Sequence, residues 1–466
     1  MYGSGIELPR VSFASIDFSQ IPAGSYFIGF DLDTAGTLSK MDSTGTISVV
    51  EGGGGVIDVD SGANSTYRID NNNTASGDYS TVSGGYTNTA SGYASTVSGG
   101  YGNTAGGAGD LNFVGGGYIN TASGYYSTVA GGAYNDASLD YSTVSGGYNN
   151  VSSNIASTIS GGYGNLATGV GSTIGGGLTN TNSAAYSTIG GGNSNTVSSD
   201  YGYSTISGGY GNTASSYYGC ESIGGGSNNT ASGNYSTIGG GSGNTASGYN
   251  WSTIGGGRLN SATNSHSTVG GGYSNTASGY YSTVSGGCDN TASSSYSTVG
   301  GGYLNSASGG CSTVGGGYGN AATNSHSIVS GGYCNSANGT SSTVSGGYCN
   351  SASGGYSTVS GGYCNSASGG CSTVGGGYGN TASGIYSTIS GGYNNIANGD
   401  YSGILGGCSN NLNGYPSSFI VGVGITADST CTTFVNQLSI KNIPTSAAGL
   451  CSGMLWSDSG MICIIP

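Results

Sequence analysis

The feature that most constrains this chain is a fifteen-residue line written again and again. From Tyr79 the text reads YSTVSGGYTNTASGY, and copies begin at 79, 94, 111, 126, 141, 156, 171, 186, 203, 220, 235, 251, 266, 281, 296, 311, 326, 341, 356, 371, 386 and 401, which makes 22 units. The step is fifteen except for seventeen at 94→111, 186→203 and 203→220 and sixteen at 235→251, and a degenerate copy starts at Asn64. A fixed short period marks a repeat architecture, in which each unit is one small piece of secondary structure that stacks on the next.

Aligned on one another, the units separate positions the structure must constrain from positions it leaves free. The fourth is Val or Ile in all 22 units: Val82, Val97, Val114, Val129, Val144, Ile159, Ile174, Ile189 and onward to Ile404. We read these as a core column. The sixth and seventh are Gly throughout, and the tenth is always Asn, from Asn88, Asn103, Asn120, Asn135 and Asn150 to Asn410, a structural column. Thr fills the third position in 18 units and Ala the twelfth in 18, whereas the first, eighth, ninth and fifteenth vary.

β-Branched, alternating residues predict a strand of about five residues from Tyr79 to Ser83, with Ser80 and Val82 on one face and Thr81 on the other. The Gly84-Gly85 pair admits positive φ and so predicts a corner. Tyr86 to Ala90 predicts a second extended segment with Asn88 and Ala90 on one face, closed by Ser91-Gly92. The extra residues of the long units fall near the unit's end, which places that end at a surface corner.

One coil cannot stand alone. It buries about 3 kcal/mol of apolar side chain at most, against more than ~15 kcal/mol of backbone entropy for fifteen ordered residues. Stacked at about 4.8 Å, however, each coil donates strand hydrogen bonds to the next, and the Val/Ile side chains form an unbroken column. Identical side chains then lie above one another, so like charges would repel. Between residues 79 and 415 the chain carries Arg258 as its sole basic residue and seven acidic ones. Disorder, the usual fate of Gly- and Ser-rich sequence, does not require a fixed Val/Ile or a fixed Asn. The reading is therefore an all-β parallel solenoid.

Composition excludes other classes. Five Lys/Arg against 19 Asp/Glu give a net charge of −14, which argues against a nucleic-acid partner. Charged residues are 5% of the chain, far below an ordinary globular enzyme. No run approaches the length of a membrane span, and the opening MYGSGIELPR lacks a secretory signal, which predicts that the protein reaches the outside by lysis or within a particle.

The lines STVSGGYxNTASG resemble the head repeats of trimeric autotransporter adhesins over residues 79–415. That resemblance implies a left-handed parallel β-roll, three chains side by side. The chain departs from those adhesins in lacking a heptad stalk and a membrane barrel. Residues 21–53, with DTAG and DSTG turns between short strands, and residues 437–466, ending in an apolar strand, resemble terminal segments of tail-fibre and other virion structural proteins of bacteriophages and large DNA viruses.

Little chemistry suggests itself. His266 and His326 stand four coils apart, too far to share a metal, and are read as solvated; no catalytic set, cofactor site or metal site is assigned. Eleven Cys is an odd number, and Cys334, Cys349 and Cys364 share the ninth position of consecutive coils, a possible cross-linking column. Tyr86, Tyr101, Tyr118, Tyr148 and Tyr163 share the eighth, as a ladder that shields the roll's edge or contacts glycan. Trp251, which opens a unit, is read as a local packing substitution. A Thr ladder would also suit ice, though one Thr per coil falls short of two parallel columns.

These readings divide the chain into an N-terminal β module for docking or assembly (1–63), the solenoid (64–415) and a C-terminal β cap (416–466). The expected function is non-enzymatic: a homotrimeric structural fibre, a rod on a virion or other extracellular assembly, with attachment to a host-surface glycan or receptor following from the resemblance. The alternative is a subunit of a polymeric extracellular filament or sheath.

Overall fold

The computed structural model describes residues 72–107 and 110–439, parts of 443–464, and the backbone of six short strands within residues 10–68. The chain divides into two compact units, residues 1–179 and 180–466. In each the repeat winds into a parallel β-solenoid; in all there are about 24 coils of roughly 15 residues, with no helix among the described residues.

Every coil carries two very short strands, as in Thr81–Val82 and Thr89–Ala90. In the first unit the Val/Ile ladder climbs in register from Val82 through Val97, Val114, Val129, Val144 and Ile159 to Ile174. The Ala ladder climbs beside it from Ala75 to Ala167. The alternation is as the pattern predicts: Ser80, Val82, Asn88 and Ala90 point inward and are at most 2% exposed. In the second unit Ile189 is likewise fully buried.

The strands are two residues long rather than about five, and the backbone explains why. The first and ninth residues of all 22 units have positive φ, as at Tyr79 (62°) and Thr87 (56°). Only seven of these 44 residues are Gly, so the left-handed turn is imposed on Tyr, Leu, Cys, His and Trp at about 1 kcal/mol each. The turn aims the N–H backward. Ala94 N–H donates to Asp78 O of the preceding coil (2.8 Å) and Gly102 N–H to Tyr86 O (2.9 Å), while the strand residues donate forward, as Thr81 N–H does to Ser95 O (2.9 Å). A left-handed residue that makes this bond gains about 1 kcal/mol, which offsets its strain.

The invariant Asn is tied to the invariant Gly. Asn88 Nδ2 donates to Gly84 O (3.0 Å) in its own coil and to Gly100 O (2.9 Å) in the next, while its Oδ1 accepts from the backbone N–H of Asn103 (2.9 Å). That amide therefore satisfies groups at a corner that no strand could reach. Gly85, at φ 87°, leaves no room for a Cβ, which would overlap both Gly100 O and Asn88 Nδ2. The inward serine is less well served: Ser282 Oγ donates to Gly279 O (2.7 Å), but the equivalent hydroxyls of Ser80, Ser142 and Ser357 are buried without a partner.

The ladder also runs past residue 415. Phe419–Val421 pairs parallel with Gly403–Ile404, and Thr433–Val435 pairs parallel with Phe419–Val421, with Ile420 fully buried on the Val/Ile column. In this coil the Gly pair shrinks to Gly422 and Ile425 stands where Asn is expected, which hides the rung from pattern reading. Beyond it, Leu455–Asp458 and Met461–Ile464 form an antiparallel hairpin. Near the N-terminus, Leu38–Met41 pairs antiparallel with both Phe27–Asp31 and Ile47–Val49, and Arg10–Val11 pairs parallel with Phe27–Asp31; the DTAG and DSTG segments lie outside the described residues. Ile57–Asp58 pairs antiparallel with Tyr67–Arg68, and the remaining residues of the 1–63 module lie outside the described ones.

Candidate interaction surface

Outward positions stand in register like the inward ones, though their residue types vary more, so the surface is a set of columns. In the first unit Tyr86, Tyr101 and Tyr118 stack at 5.6 and 5.1 Å between ring centroids, and Tyr148 stacks on Tyr163 at 5.2 Å. Ala133 interrupts that column, and Tyr134 from the neighbouring position fills the gap, edge-on to both Tyr118 and Tyr148. These five predicted surface tyrosines are 42–51% exposed.

The most regular column is in the second unit. Tyr318, Tyr333, Tyr348, Tyr363 and Tyr378 stack at 4.7, 4.7, 4.7 and 4.9 Å with interplanar angles of 1–3°. A second column at the first position runs Tyr235, Trp251, His266, Tyr281, Tyr296, with centroid steps of 5.2, 5.2, 4.2 and 5.5 Å. This revises the solvated reading of His266: it is half-buried between Trp251 and Tyr281, with its Nδ1 buried and unpartnered. Trp251 is one member of that stack. The parallel register of the rings follows from the backbone repeat, and each stacked pair adds about 1 kcal/mol. Because each ring covers its neighbour's face, a column offers ring edges and hydroxyls outward, not flat faces.

Beside the tyrosines lies sulfur. Cys334, Cys349 and Cys364 follow Tyr333, Tyr348 and Tyr363 and are free thiols, the first two half-buried and the third exposed. The negative charge of an ionised Cys349, with burial second, holds the Tyr348 phenol above the usual tyrosine range; Cys364 and burial do the same to Tyr363. Cys288 differs: burial first, then its hydrogen bond to Asp289 (3.2 Å), push that thiol up. Among the described residues no group of three or more His, Cys, Asp or Glu surrounds a point where one ion could sit.

One ionisable side chain escaped the sequence reading. Glu221 takes the inward second position and is 1% exposed. Its Oε2 accepts from Ser199 Oγ (2.6 Å) and from Ser204 Oγ, and its Oε1 from Ser216 N–H (3.0 Å). The signal was present: that position is Ser in 20 units, and the two exceptions, Asn112 and Glu221, each follow a unit of seventeen residues. The longer coil carries exposed Tyr217 and Tyr218 at its corner, where the extra residues were expected. Compared with known proteins, the chain matches no protein-family model and no curated protein sequence.

Proposed function

We propose that this chain is a structural fibre protein, built with copies of itself on a virion or other extracellular assembly and serving attachment to a host surface. What supports this reading is the periodic exterior. A surface on which equivalent positions stand one rung apart, with tyrosine recurring over runs of several coils, suits lateral packing against identical chains and repeated weak contacts with a repetitive partner such as a glycan. Since the tyrosine faces are occupied by one another, such contacts run through phenol hydroxyls and the flanking Ser and Thr columns. The resemblance to adhesin head repeats supplies the trimer, and the resemblance of the termini supplies the virion.

The native mass of the purified full-length chain tests assembly, with three copies expected; cell and glycan-array binding tests attachment. A monodisperse monomer that binds no host surface would remove the proposal. The second reading, an open extracellular filament, is favoured by one observation. The rung Thr433–Val435 pairs parallel with Phe419–Val421, so the ladder continues beyond the repeats to a strand at which another chain's strand would add. Electron microscopy separates the two, because a fibre has one length and a filament has many.

A further inference from the structure

The cysteines stand where the fibre reading has no use for them. The 22 units contain eight, and all eight fall at the first, eighth or ninth position. The first and eighth are the two aromatic columns, and the ninth is the residue that follows the eighth. Each long aromatic column of the second unit is closed by sulfur at both ends. In the eighth-position column seven tyrosines run unbroken from Tyr303 to Tyr393, with centroid steps of 4.7–5.3 Å. Cys288 pairs with Tyr303 on the rung before, and Cys408 pairs with Tyr393 on the rung after. In the first-position column Cys220 opens the unit before Tyr235, and Cys311 opens the unit after Tyr296. The first unit, where Ala133 interrupts the stack, has no cysteine at all.

This arrangement suits the movement of single electrons. The seven tyrosines are 39–50% exposed, so a dissolved oxidant reaches their edges and a phenol proton can leave to water. Neighbouring π systems face one another one rung apart, and an electron crosses between them more readily than through saturated backbone. Thiols alongside the stack are coupled to it: the negative charge of an ionised Cys334 is the largest cause that raises the Tyr333 phenol, and that of Cys364 does the same to Tyr363. Cys288 and Cys408 are partly exposed free thiols.

We propose that the Tyr303–Tyr393 stack is a one-electron relay that carries oxidising equivalents to the thiols at its ends and side. Its substrates are one-electron oxidants, the class that includes oxidised peroxidase haem and small inorganic radicals. The oxidant takes an electron from one phenol, whose proton passes to water, and a phenoxyl radical is left. The next tyrosine reduces that radical by the same exchange, so the radical moves one rung. At a thiol the S–H bond breaks, its hydrogen restores the last phenol, and a thiyl radical remains. Two thiyl radicals on two chains join as a disulfide. In sum, two oxidants each gain an electron, two thiols lose two protons, one disulfide forms and no tyrosine is consumed. The stack thereby turns oxidant attack into a reducible bond instead of irreversible coupling of rings.

The test uses the full-length reduced chain with every cysteine except Cys408 replaced by serine, and a substoichiometric dose of azide radical from pulse radiolysis, which attacks phenols and indoles in preference to protonated thiols. Ser already fills the first, eighth and ninth positions at Ser341, Ser227 and Ser409, so the fold is kept, which circular dichroism checks. Loss of the Cys408 thiol, read by alkylation and peptide mass spectrometry, should accompany decay of the phenoxyl absorbance. Tyr348→Leu combined with Tyr363→Leu leaves only Tyr378 and Tyr393 joined to Cys408 and should cut that loss about threefold; Leu178 already fills this position elsewhere. Tyr186→Leu combined with Tyr203→Leu, outside the stack, should leave it unchanged. Equal loss of Cys408 in the cut and uncut chains, or none in the uncut chain, overturns the proposal.

Discussion

Two stretches of the second unit, the coils from 326 to 385 and those from 186 to 250, share an interior and differ outside. In both, the Val/Ile and Asn columns are fully buried and the Asn rungs are linked in the same way, Asn350 N–H to Asn335 Oδ1 at 2.9 Å and Asn229 N–H to Asn212 Oδ1 at 3.0 Å. Yet the first stretch shows a continuous tyrosine stack, while in the second the eighth position reads Asn193, Tyr210, Ser227, Ser242 and no stack forms there. Two extra residues in each of two coils are absorbed at one corner, and a carboxylate moves inside beneath them. The interior enforces the coil; the exterior records only whether neighbouring coils are identical.

The comparison can be broken where the interior is shared. Gly347→Ala and Gly226→Ala should each cost about 3 kcal/mol, because in both places the new Cβ meets the next coil's glycine carbonyl and an Asn amide at φ near 90°. Urea unfolding with limited proteolysis reads this. A loss confined to one stretch would show that the two interiors are not equivalent.

It can be sharpened at the second position. Glu221→Ala should cost about 2 kcal/mol by removing the acceptor of a backbone N–H and of two serine hydroxyls, which are left only their bond to each other. Ser357→Ala should be neutral or slightly stabilising, since its buried hydroxyl has no partner to lose. Thermal unfolding of the pair measures the contrast.

A smaller effect is expected in the first unit, where Asp136 takes the eleventh position between Thr121 and Val151 with one buried, unpartnered carboxylate oxygen. Burial holds its carboxyl above the ordinary range, so the folded chain binds this proton more tightly than the unfolded chain. Its stabilising effect is complete below the ordinary carboxylate pKa and is lost as pH rises through the raised one. Asp136→Thr should remove that dependence and stabilise the neutral protein, by less than about 1 kcal/mol because solvent reaches the side chain. Smallest of all, Cys349→Ser should let the Tyr348 phenol ionise at lower pH, seen by ultraviolet titration.

Much of this was legible beforehand. An inward Val82 and Asn88, an outward Thr81 and a Gly corner at Gly85 follow from invariance and alternation alone. The short strands were not, although the hint was there: β-branched residues are absent from the first position, and at the ninth they are outnumbered by six Gly and three Asn. Variability was taken as freedom. In fact the first and ninth residues are the most restricted in backbone and the least restricted in side chain. Glu221 was missed because its meaning lies in the length of the coil before it, and His266 because its neighbours are fifteen residues away in sequence and one rung away in space.

By itself, then, the order of residues determined the period, which side chains face inward, and that no coil persists without its neighbours, because burial and alternation are local properties. Only the stacked structure decided where the backbone turns left-handed, how far the rungs extend past residue 415, and which aromatic rings and thiols stand in line. Those depend on hydrogen bonds to the preceding and following coils, and a bond between coils can impose one conformation on Tyr, Cys, His and Ala alike.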